Sequence, residues 1–422
     1  MRIARIDTHI LRVPLGGERF YSSQCAFPER KSLLVRVETE CGLVGWGEGG
    51  QYGPAEPVAA CIDAVLAPSL IGRDPREPVR LWEEGYAATR DFGQKSAYIE
   101  ALSALDIAFW DIHGRAVGEP VSRLLGGAFR DSIHAYATGC YYREGYADLE
   151  AALPLLAAEA YSYVSAGFDT LKVKIGLLSI EADLRRVATA RETVGDGVCL
   201  LVDTNHAYNA ATAVRVGRAL EAYGIGWYEE PVPPEDRRGY RHVRESVAIP
   251  IAGGECEYTR YGFRDFLLDG CVDIAQPDLC ASGGFSEWTK IHALASALGV
   301  WVIPHVWGSG VTLAAALHVL AATPPFPHTA NPLPLQNEPV IEFDRSPNPL
   351  RDRLLVEPIA LSGGRLPVPQ GPGLGIEVDE AMLREYERGG ADRGFSDDAL
   401  HGDATAQRAG SGDASPGAGQ PA

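Results

Sequence analysis

Three acidic residues stand at equal intervals in the middle of the chain. Asp203, Glu229 and Glu255 each follow a short apolar run, and each is 26 residues from the next (229 − 203 and 255 − 229). Such a run is typical of a strand buried in a parallel sheet, and the interval suits one strand, one helix and two loops. One acid alone more often caps a helix, but the shared spacing favours convergence at one end of the sheet. Hard oxygen ligands of this kind predict a Mg2+ site.

The strand before Asp203 carries two lysines. In Thr170–Ile175 the alternation of a strand puts Lys172 and Lys174 on one face, which can point into a barrel. Two close ammonium groups disfavour each other's protonation, and a nearby cation has the same effect, so a neutral lysine is expected as a general base. An isolated pair of this kind more often lies on a solvated edge.

A histidine ends a later strand. His305 closes Val300–Val306, and Asp278 closes the strand before it, so a carboxylate is expected beside the imidazole. Such a carboxylate fixes the ring tautomer and raises the basicity of the ring. A histidine alone is more often a satisfied core residue, but the pairing with Asp278 favours a catalytic dyad.

A lysine and a histidine on roughly opposite sides of a metal predict proton abstraction α to a carboxylate. One group removes the proton, the other donates a proton on the opposite side, and the cation stabilises the enediolate. A glycosidase with two carboxylates would explain the acids, but not the lysine pair or the dyad, and would need no metal. A barrel retained only for binding would have no use for the acid–base groups.

The elements that position these residues form a repeating pattern. Residues 131–350 alternate apolar runs with helical patterns such as Ala182–Val194, Ala211–Tyr223 and Phe285–Leu298, which predicts a β/α barrel. The eight predicted strands are Ile133–Gly139, Thr170–Ile175, Cys199–Asn205, Trp227–Glu230, Ile249–Ala252, Asp273–Pro277, Val300–Val306 and Val340–Phe343.

The two ends of the chain have other patterns. Residues 1–130 predict an α+β capping domain, with antiparallel strands first and helices over 55–118. The connection Pro14–Arg30 is long and aromatic, which favours a lid, and a second glycine-rich loop is expected at Gly45–Gly53. Residues 351–388 are expected to return to the cap. Residues 389–422 have few large apolar side chains and are expected to form a disordered tail.

Composition limits the partners of the chain. With a formal net charge of −18, it offers no basic patch for nucleic acid. Its eight scattered cysteines are typical of reduced thiols in a cytoplasmic protein, and we expect no signal peptide and no membrane span.

Taken together, the motifs resemble a known family. The acids in VDTN, YEEP and GGE, the run Lys172-Val173-Lys174, the Asp278/His305 pair and GWGE at 45–48 are similar to the mandelate racemase branch of the enolase superfamily. The resemblance covers about residues 1–388, and is greatest to members that process acid sugars. It implies a modified TIM barrel, (β/α)7β, under an N-terminal α+β cap that the C-terminal segment completes.

The resemblance also implies a role for individual residues. Asp203, Glu229 and Glu255 would bind Mg2+. Lys174, with Lys172 as its electrostatic neighbour, would be one acid/base, and His305, oriented by Asp278, the other. Candidates for substrate contacts are Asn205, Glu342 and Trp307 in the barrel, and Tyr21 and Lys95 in the cap.

The substrate expected on this basis is a small acid sugar or its lactone. If the substrate loses an oxygen from its β carbon, the enzyme is a cycloisomerase or a dehydratase. If it keeps that oxygen, the enzyme is a racemase or an epimerase. A homo-oligomer is expected.

Overall fold

The computed structural model describes residues 1–17, 19–50 and 53–391. Its central element is a curled sheet of eight parallel strands, each of which overlaps one predicted from the sequence. The prediction of a β/α barrel is therefore confirmed. In chain order these strands are β1 (Ser132–Gly139), β2 (Thr170–Lys174), β3 (Cys199–Asp203), β4 (Ile225–Glu229), β5 (Ile251–Gly253), β6 (Ile274–Ala275), β7 (Trp301–Val302) and β8 (Ile341–Asp344).

From β2 to β7 each strand pairs with the strand before it in the chain, and β8 pairs with β1. Within the described ranges no strand ladder joins β7 to β8. That edge is bridged instead by a hydrogen bond of 3.1 Å from the amide of Val306 to Oε2 of Glu342. Side chains inside the barrel, such as Tyr136, Leu201 and Trp227, form their own buried cluster, so the barrel interior is a packed core rather than a channel.

Helices follow the strands and cover the outer face of the sheet. Several begin at a side chain that accepts an amide hydrogen of the first turn, such as Ser179 and Asn209, which explains why these helices begin where they do. The barrel helices are α1 (Leu149–Ser165), α2 (Ile180–Val194), α3 (Ala210–Leu220), α4 (Arg237–Ser246), α5 (Thr259–Leu268), α6 (Leu279–Ser282), α7 (Gly284–Ala297), α8 (Gly310–Ala322) and α9 (Pro349–Asp352).

The N-terminal cap is an antiparallel sheet packed on helices. Its strands are β9 (Ile3–Pro14), β10 (Glu29–Thr39) and β11 (Val44–Gly49), paired in that order. Its helices are α10 (Ala55–Cys61), α11 (Ala67–Leu70), α12 (Pro78–Thr89), α13 (Ala97–Val117) and α14 (Val121–Leu124), with a π-helical turn at Ile62–Leu66 between the first two.

The prediction of a loop at Gly45–Gly53 is wrong for its first half. Residues up to Gly49 continue the strand β11, which lies against helix α13. A Cβ on Gly47 would lie 1.8 Å from the carbonyl oxygen of Ala104, and Gly45 and Gly49 are similarly close to the helix. The glycines therefore allow the strand to pack closely on the helix. A glycine-rich composition is also typical of a turn, so composition alone did not separate the two cases.

The connection Pro14–Arg30 contains two short strands rather than an irregular lid. These are β12 (Phe20–Tyr21) and β13 (Ala26–Phe27), and they form a small sheet with β14 (Tyr142–Arg143), which follows the first barrel strand. The ring of Phe20 packs on that of Tyr141, just after β1, with centroids 4.8 Å apart, so this segment, here called the lid, is held against the barrel.

The C-terminal segment contacts both parts of the fold. Strand β15 (Arg365–Pro367) pairs antiparallel with β1, while helix α15 (Glu380–Ala391) lies against β9 of the cap. Nδ1 of His9 is 2.7 Å from Oε1 of Glu387 at that contact. The helix extends three residues beyond the predicted boundary at 388, and the rest of the predicted tail lies outside the described residues. No helix in the described part of the chain is both long and apolar enough to span a membrane.

Candidate active site

The strand register brings three predicted residues to one level of the barrel. Lys174 on β2 is opposite Asp203 on β3, and Asp203 is opposite Glu229 on β4. Asp203 and Glu229 are fully buried at the carboxyl ends of their strands, as predicted from the apolar runs that precede them. Glu255 stands in the loop after β5 and is also buried.

Lys172 lies beneath this level in a network of carboxylates. Its Nζ is 2.7 Å from Oε1 of Glu229, 2.8 Å from Oε1 of Glu342 and 3.7 Å from Oδ2 of Asp203. Burial lowers the pKa of Lys172, but these carboxylates raise it well above its ordinary value. In this arrangement the carboxylates raise the pKa of each lysine more than the neighbouring lysine lowers it. A neutral lysine, which was expected from the pair together with a bound cation, stays a prediction.

Lys174 lies at the carboxyl end of β2, next to Asp203. Its Nζ forms an ion pair with Oδ2 of Asp203 and donates to Oδ1 of Asn205 at 3.0 Å. Burial opposes the charge, but Asp203 raises the pKa of Lys174 above its ordinary value. Asp203 is held in turn by the amide of Asn205, which donates to its Oδ1 at 2.8 Å.

His305 and Asp278 form the predicted pair. Nδ1 of His305 is 2.7 Å from Oδ2 of Asp278, and their backbones are joined by an isolated parallel bridge. The other ring nitrogen, Nε2, is 3.5 Å from Oε2 of Glu255. Burial lowers the pKa of His305, but Glu255 and Asp278 raise it to about 9. The imidazole is therefore oriented and made more basic, as the sequence predicted for the dyad.

Glu342 connects the two sides of the site. Its Oε1 accepts from Thr138 at 2.5 Å and from Lys172, and its Oε2 accepts the amide of Val306, next to His305. Burial raises the pKa of this carboxyl, but Lys172 and His305 together lower it to about 2. Glu342 is thus an ionised acceptor at the edge between β7 and β8.

Lys174, Asn205, Glu255 and His305 open into a cleft of about 190 Å3, whereas the buried side chain of Glu342 does not line it. The lid forms one wall and the carboxyl ends of the barrel strands form the other. Ser23 of the lid donates to the carbonyl of Thr204 at 2.6 Å, and Gln24 donates to that of Asn205 at 2.6 Å. The lining residues are Ser22, Gln24, Cys25, Phe27, Tyr141, Lys174, Asn205, His206, Glu255, Cys256, His305 and Trp307.

Two candidates from the cap do not line the cleft. Tyr21 packs on Tyr146, with ring centroids 5.4 Å apart, and the exposed side chain of Lys95 lies 3.8 Å from Oε2 of Glu257. Tyr21 sits on a two-residue strand, and the pairing of that strand, not any periodicity, sets which way the side chain points.

Several lining residues were missed in the sequence. His206 and Cys256 follow two of the predicted metal ligands closely, and Tyr141 follows the end of β1. Their position just past a strand end is a signal that could have found them, because the loops after barrel strands build the active-site face.

The donor set fits a hard divalent cation. Asp203, Glu229 and Glu255 offer only oxygen atoms, which is the chemistry that Mg2+ prefers. Burial raises the pKa of Glu229 to about 7 and that of Glu230 well above its ordinary value, despite the two lysines nearby. The site therefore concentrates more carboxylates than its own cations neutralise, and a divalent ion would relieve this repulsion.

Comparison with known proteins defines the family. Residues 155–382 match the family described as enolase C-terminal domain-like, and residues 17–126 match the N-terminal domain of mandelate racemase / muconate lactonizing enzyme. The chain belongs to the mandelate racemase/muconate lactonizing enzyme branch of the enolase superfamily, and it is an enzyme of that class.

Curated relatives include acid-sugar enzymes. The chain is 44% identical over 386 residues to D-galactarolactone cycloisomerase of Agrobacterium fabrum, covering 92% of this chain and 99% of that protein. It is 38% identical to arabinonate dehydratase of Saccharolobus solfataricus, covering 84% and 90% of the two chains.

Solved structures give a similar result. The 3,6-anhydro-D-galactonate cycloisomerase from Zobellia galactanivorans superposes with a TM-score of 0.80 and is 39% identical, covering 92% of this chain and 99% of that chain. A mutant of L-talarate/galactarate dehydratase, liganded with Mg and L-glucarate, gives a TM-score of 0.78 at 26% identity, covering 91% of each chain.

Proposed function

We propose that this enzyme converts a sugar-acid lactone of the galactarolactone type into a 3-deoxy-2-keto acid, with Mg2+ held by Asp203, Glu229 and Glu255. The observation that carries the proposal is the pairing of Lys174 and His305 as two proton-transfer groups in one cleft. The names of the similar cycloisomerases and dehydratases support a sugar-acid substrate.

The substrate would lie between the lid and the strand ends. Its carboxylate next to the reacting carbon belongs near Glu255 and Glu342, and Asn205, beside Lys174, offers an amide for a hydroxyl group. When bound, Mg2+ would neutralise the negative charge that develops on that carboxylate during proton removal. The lid and the aromatic side chains of Phe27 and Trp307 would exclude water from the reacting carbon.

Proton transfer then uses the two groups in turn. Either Lys174 or His305 removes the α proton, and the electron pair of that bond forms a carbon–carbon double bond. The bond from the β carbon to the ring oxygen breaks, and this oxygen leaves as part of the carboxylate released from the lactone. The resulting enol takes a proton at the β carbon and becomes the 3-deoxy-2-keto acid, so the net composition is unchanged.

The supporting residues have separate tasks. Asp278 holds the ring of His305 in one tautomer, and Lys172 favours the ionised forms of Glu229 and Glu342 by lowering the pKa of each. Because both act through a neighbour, they are positioning residues. Their loss would lower turnover without removing a proton-transfer group.

A dehydratase is the second candidate, and the similarity to arabinonate dehydratase favours it. With an open-chain acid sugar, the same proton removal would expel a hydroxyl group from the β carbon as water. A racemase would exchange the α proton and return it on the opposite face without breaking a carbon–oxygen bond.

Incubation with galactarolactone in D2O, followed by NMR, tests the proposal. A deuterated 3-deoxy-2-keto hexarate from the lactone is the expected product. A keto acid formed only from open-chain aldarates would instead identify a dehydratase. Deuterium exchange with an epimer and no keto acid would identify a racemase. No reaction with lactones and aldarates would contradict the substrate assignment.

A further inference from the structure

A second group of potential metal ligands lies beside the proposed magnesium site. His206 follows β3, Glu230 follows β4 and Cys256 lies beyond β5. Each of them is therefore within three residues of a proposed magnesium ligand. Nε2 of His206 is 3.1 Å from Oε2 of Glu230 and 3.6 Å from Sγ of Cys256. One ligand atom from each of the three lies within 4.8 Å of the others.

The separations suit a shared ion. Both contacts of His206 are made by the same ring nitrogen, whose single lone pair would point at a position between the carboxylate and the thiol. Bond lengths of about 2.0–2.3 Å place neighbouring ligand atoms on a tetrahedral Zn2+ roughly 3.3–3.6 Å apart. The observed 3.1 Å and 3.6 Å agree with this geometry to within about 0.3 Å.

The ligand types select a different metal from Mg2+. An imidazole, a thiolate and one carboxylate favour Zn2+ or Co2+, whereas three carboxylates favour Mg2+. Glu230 is buried next to Glu229 in the chain, and the segments that carry His206 and Cys256 also carry Asp203 and Glu255, so the acids around this group favour a bound cation.

We propose that His206, Glu230 and Cys256 form a second metal site that takes a borderline-soft divalent ion such as Zn2+ or Co2+. Since His206 and Cys256 both line the cleft, a bound ion has a route to solvent and to a fourth, exchangeable ligand. The site does not depend on the reaction assigned above, because it uses none of the residues proposed for proton transfer or for Mg2+.

Cobalt titration of the full chain, kept in saturating Mg2+, tests the site. A thiolate bound to Co2+ gives a sulfur-to-metal charge-transfer absorption, which a site made only of carboxylates does not. We expect this absorption at one Co2+ per chain, and we expect Zn2+ to abolish it by displacement. Its absence from the wild-type protein would overturn the proposal, whatever the enzyme is found to catalyse.

Variants assign the absorption to the three residues. Cys256→Ser should remove it, and Glu230→Gln should weaken Co2+ binding by at least about tenfold. Cys25→Ser is the matched control, because Cys25 is an exposed cysteine that lines the same cleft. Full absorption in Cys256→Ser, unchanged affinity in Glu230→Gln, or loss of absorption in Cys25→Ser would each contradict the site. Circular dichroism of every variant shows whether the fold is retained.

Discussion

Oε2 of Glu48, on cap strand β11, accepts the hydroxyl of Ser309, the residue that begins barrel helix α8, at 2.6 Å. The same carboxylate accepts the amides of Ser309 and Thr312, each at 2.9 Å, and the hydroxyl of Ser32 at 2.6 Å. A residue of the cap therefore accepts the amide hydrogens that the first turn of α8, the helix after His305, leaves without a partner inside the helix.

Glu48→Gln should weaken this connection. An amide has one acceptor oxygen, and its NH2 group would face the amide of Thr312 or Ser309, so a buried donor is left unpaired. We expect a loss of about 1–3 kcal/mol in the free energy of unfolding and a lower kcat. Denaturant unfolding and turnover measure both. Glu38→Gln, on the neighbouring strand and partly exposed, is the control, and a Glu48 variant that matched it in both measurements would refute the connection.

Lys174→Ala and His305→Asn should each abolish turnover, because the reaction needs two proton-transfer groups. Exchange of the α proton of a bound substrate or analogue with D2O can survive in one variant, at the group that remains. NMR measures the exchange. Near-native turnover by Lys174→Ala would show that Lys174, on β2, is not a proton-transfer group.

Glu229→Gln should reduce Mg2+ affinity and stop turnover while the fold survives, since one of three charged ligands becomes neutral. Titration calorimetry with Mg2+ and circular dichroism measure the two effects. Glu181→Gln, an exposed position in the first turn of α2, controls for the lost charge. Full activity of the wild-type enzyme in excess EDTA would rule out the metal requirement.

Removing the hydrogen bonds between the lid and the barrel should weaken substrate binding. Ser23→Ala with Gln24→Ala deletes donors to the carbonyls of Thr204 and Asn205, and a loss of about 1–2 kcal/mol raises KM by about 5- to 30-fold. Melting temperature should change little, because the aromatic contacts of the lid remain. As the control, Ser162→Ala on helix α1 removes an exposed hydroxyl that does not line the cleft. Equal KM values for the two variants would mean that the lid does not need these bonds.

Asp106 should make stability depend on pH. Burial raises its pKa to about 7, against the hydrogen bonds that Ser286 donates to it. The folded state then binds a proton that the unfolded state releases between about pH 4 and pH 7, so this contribution to stability is lost as pH rises through that window. As pH rises, the free energy of unfolding of Asp106→Asn should fall less steeply than that of the wild type. The two slopes should differ by up to about 1.4 kcal/mol per pH unit. Parallel curves for the wild type, Asp106→Asn and the exposed control Asp196→Asn would contradict the assignment.

Much of the site could be predicted because its residues follow apolar runs. Asp203 and Glu229 each end a strand and His305 follows one, and in a parallel barrel that position decides which side chains meet. The surroundings of Lys172 could not be predicted in this way. Its charge depends on Glu229 and Glu342, which come from strands far apart in sequence, so their number and distance appear only in the folded chain.

The functional residues of the cap were harder to predict, because they do not recur at a regular spacing along the chain. Tyr21 points away from the cleft because its short strand pairs with Tyr142, a contact between distant segments that no local pattern encodes. For Glu230 and Cys256 the preceding strand end indicates the face of the barrel on which they lie. The path of the loop after the strand sets where each side chain points.

The glycines of β11 have a consequence for mutational surveys of this enzyme. Gly45, Gly47 and Gly49 lie so close to α13 that any side chain would force the cap sheet off its helix. Replacements there would lower the yield of folded protein, although none of these residues lines the cleft within the described part of the chain. A scan scored only by growth or total activity would thus give this strand the same intolerance as the catalytic residues. Specific activity per folded molecule would separate the two.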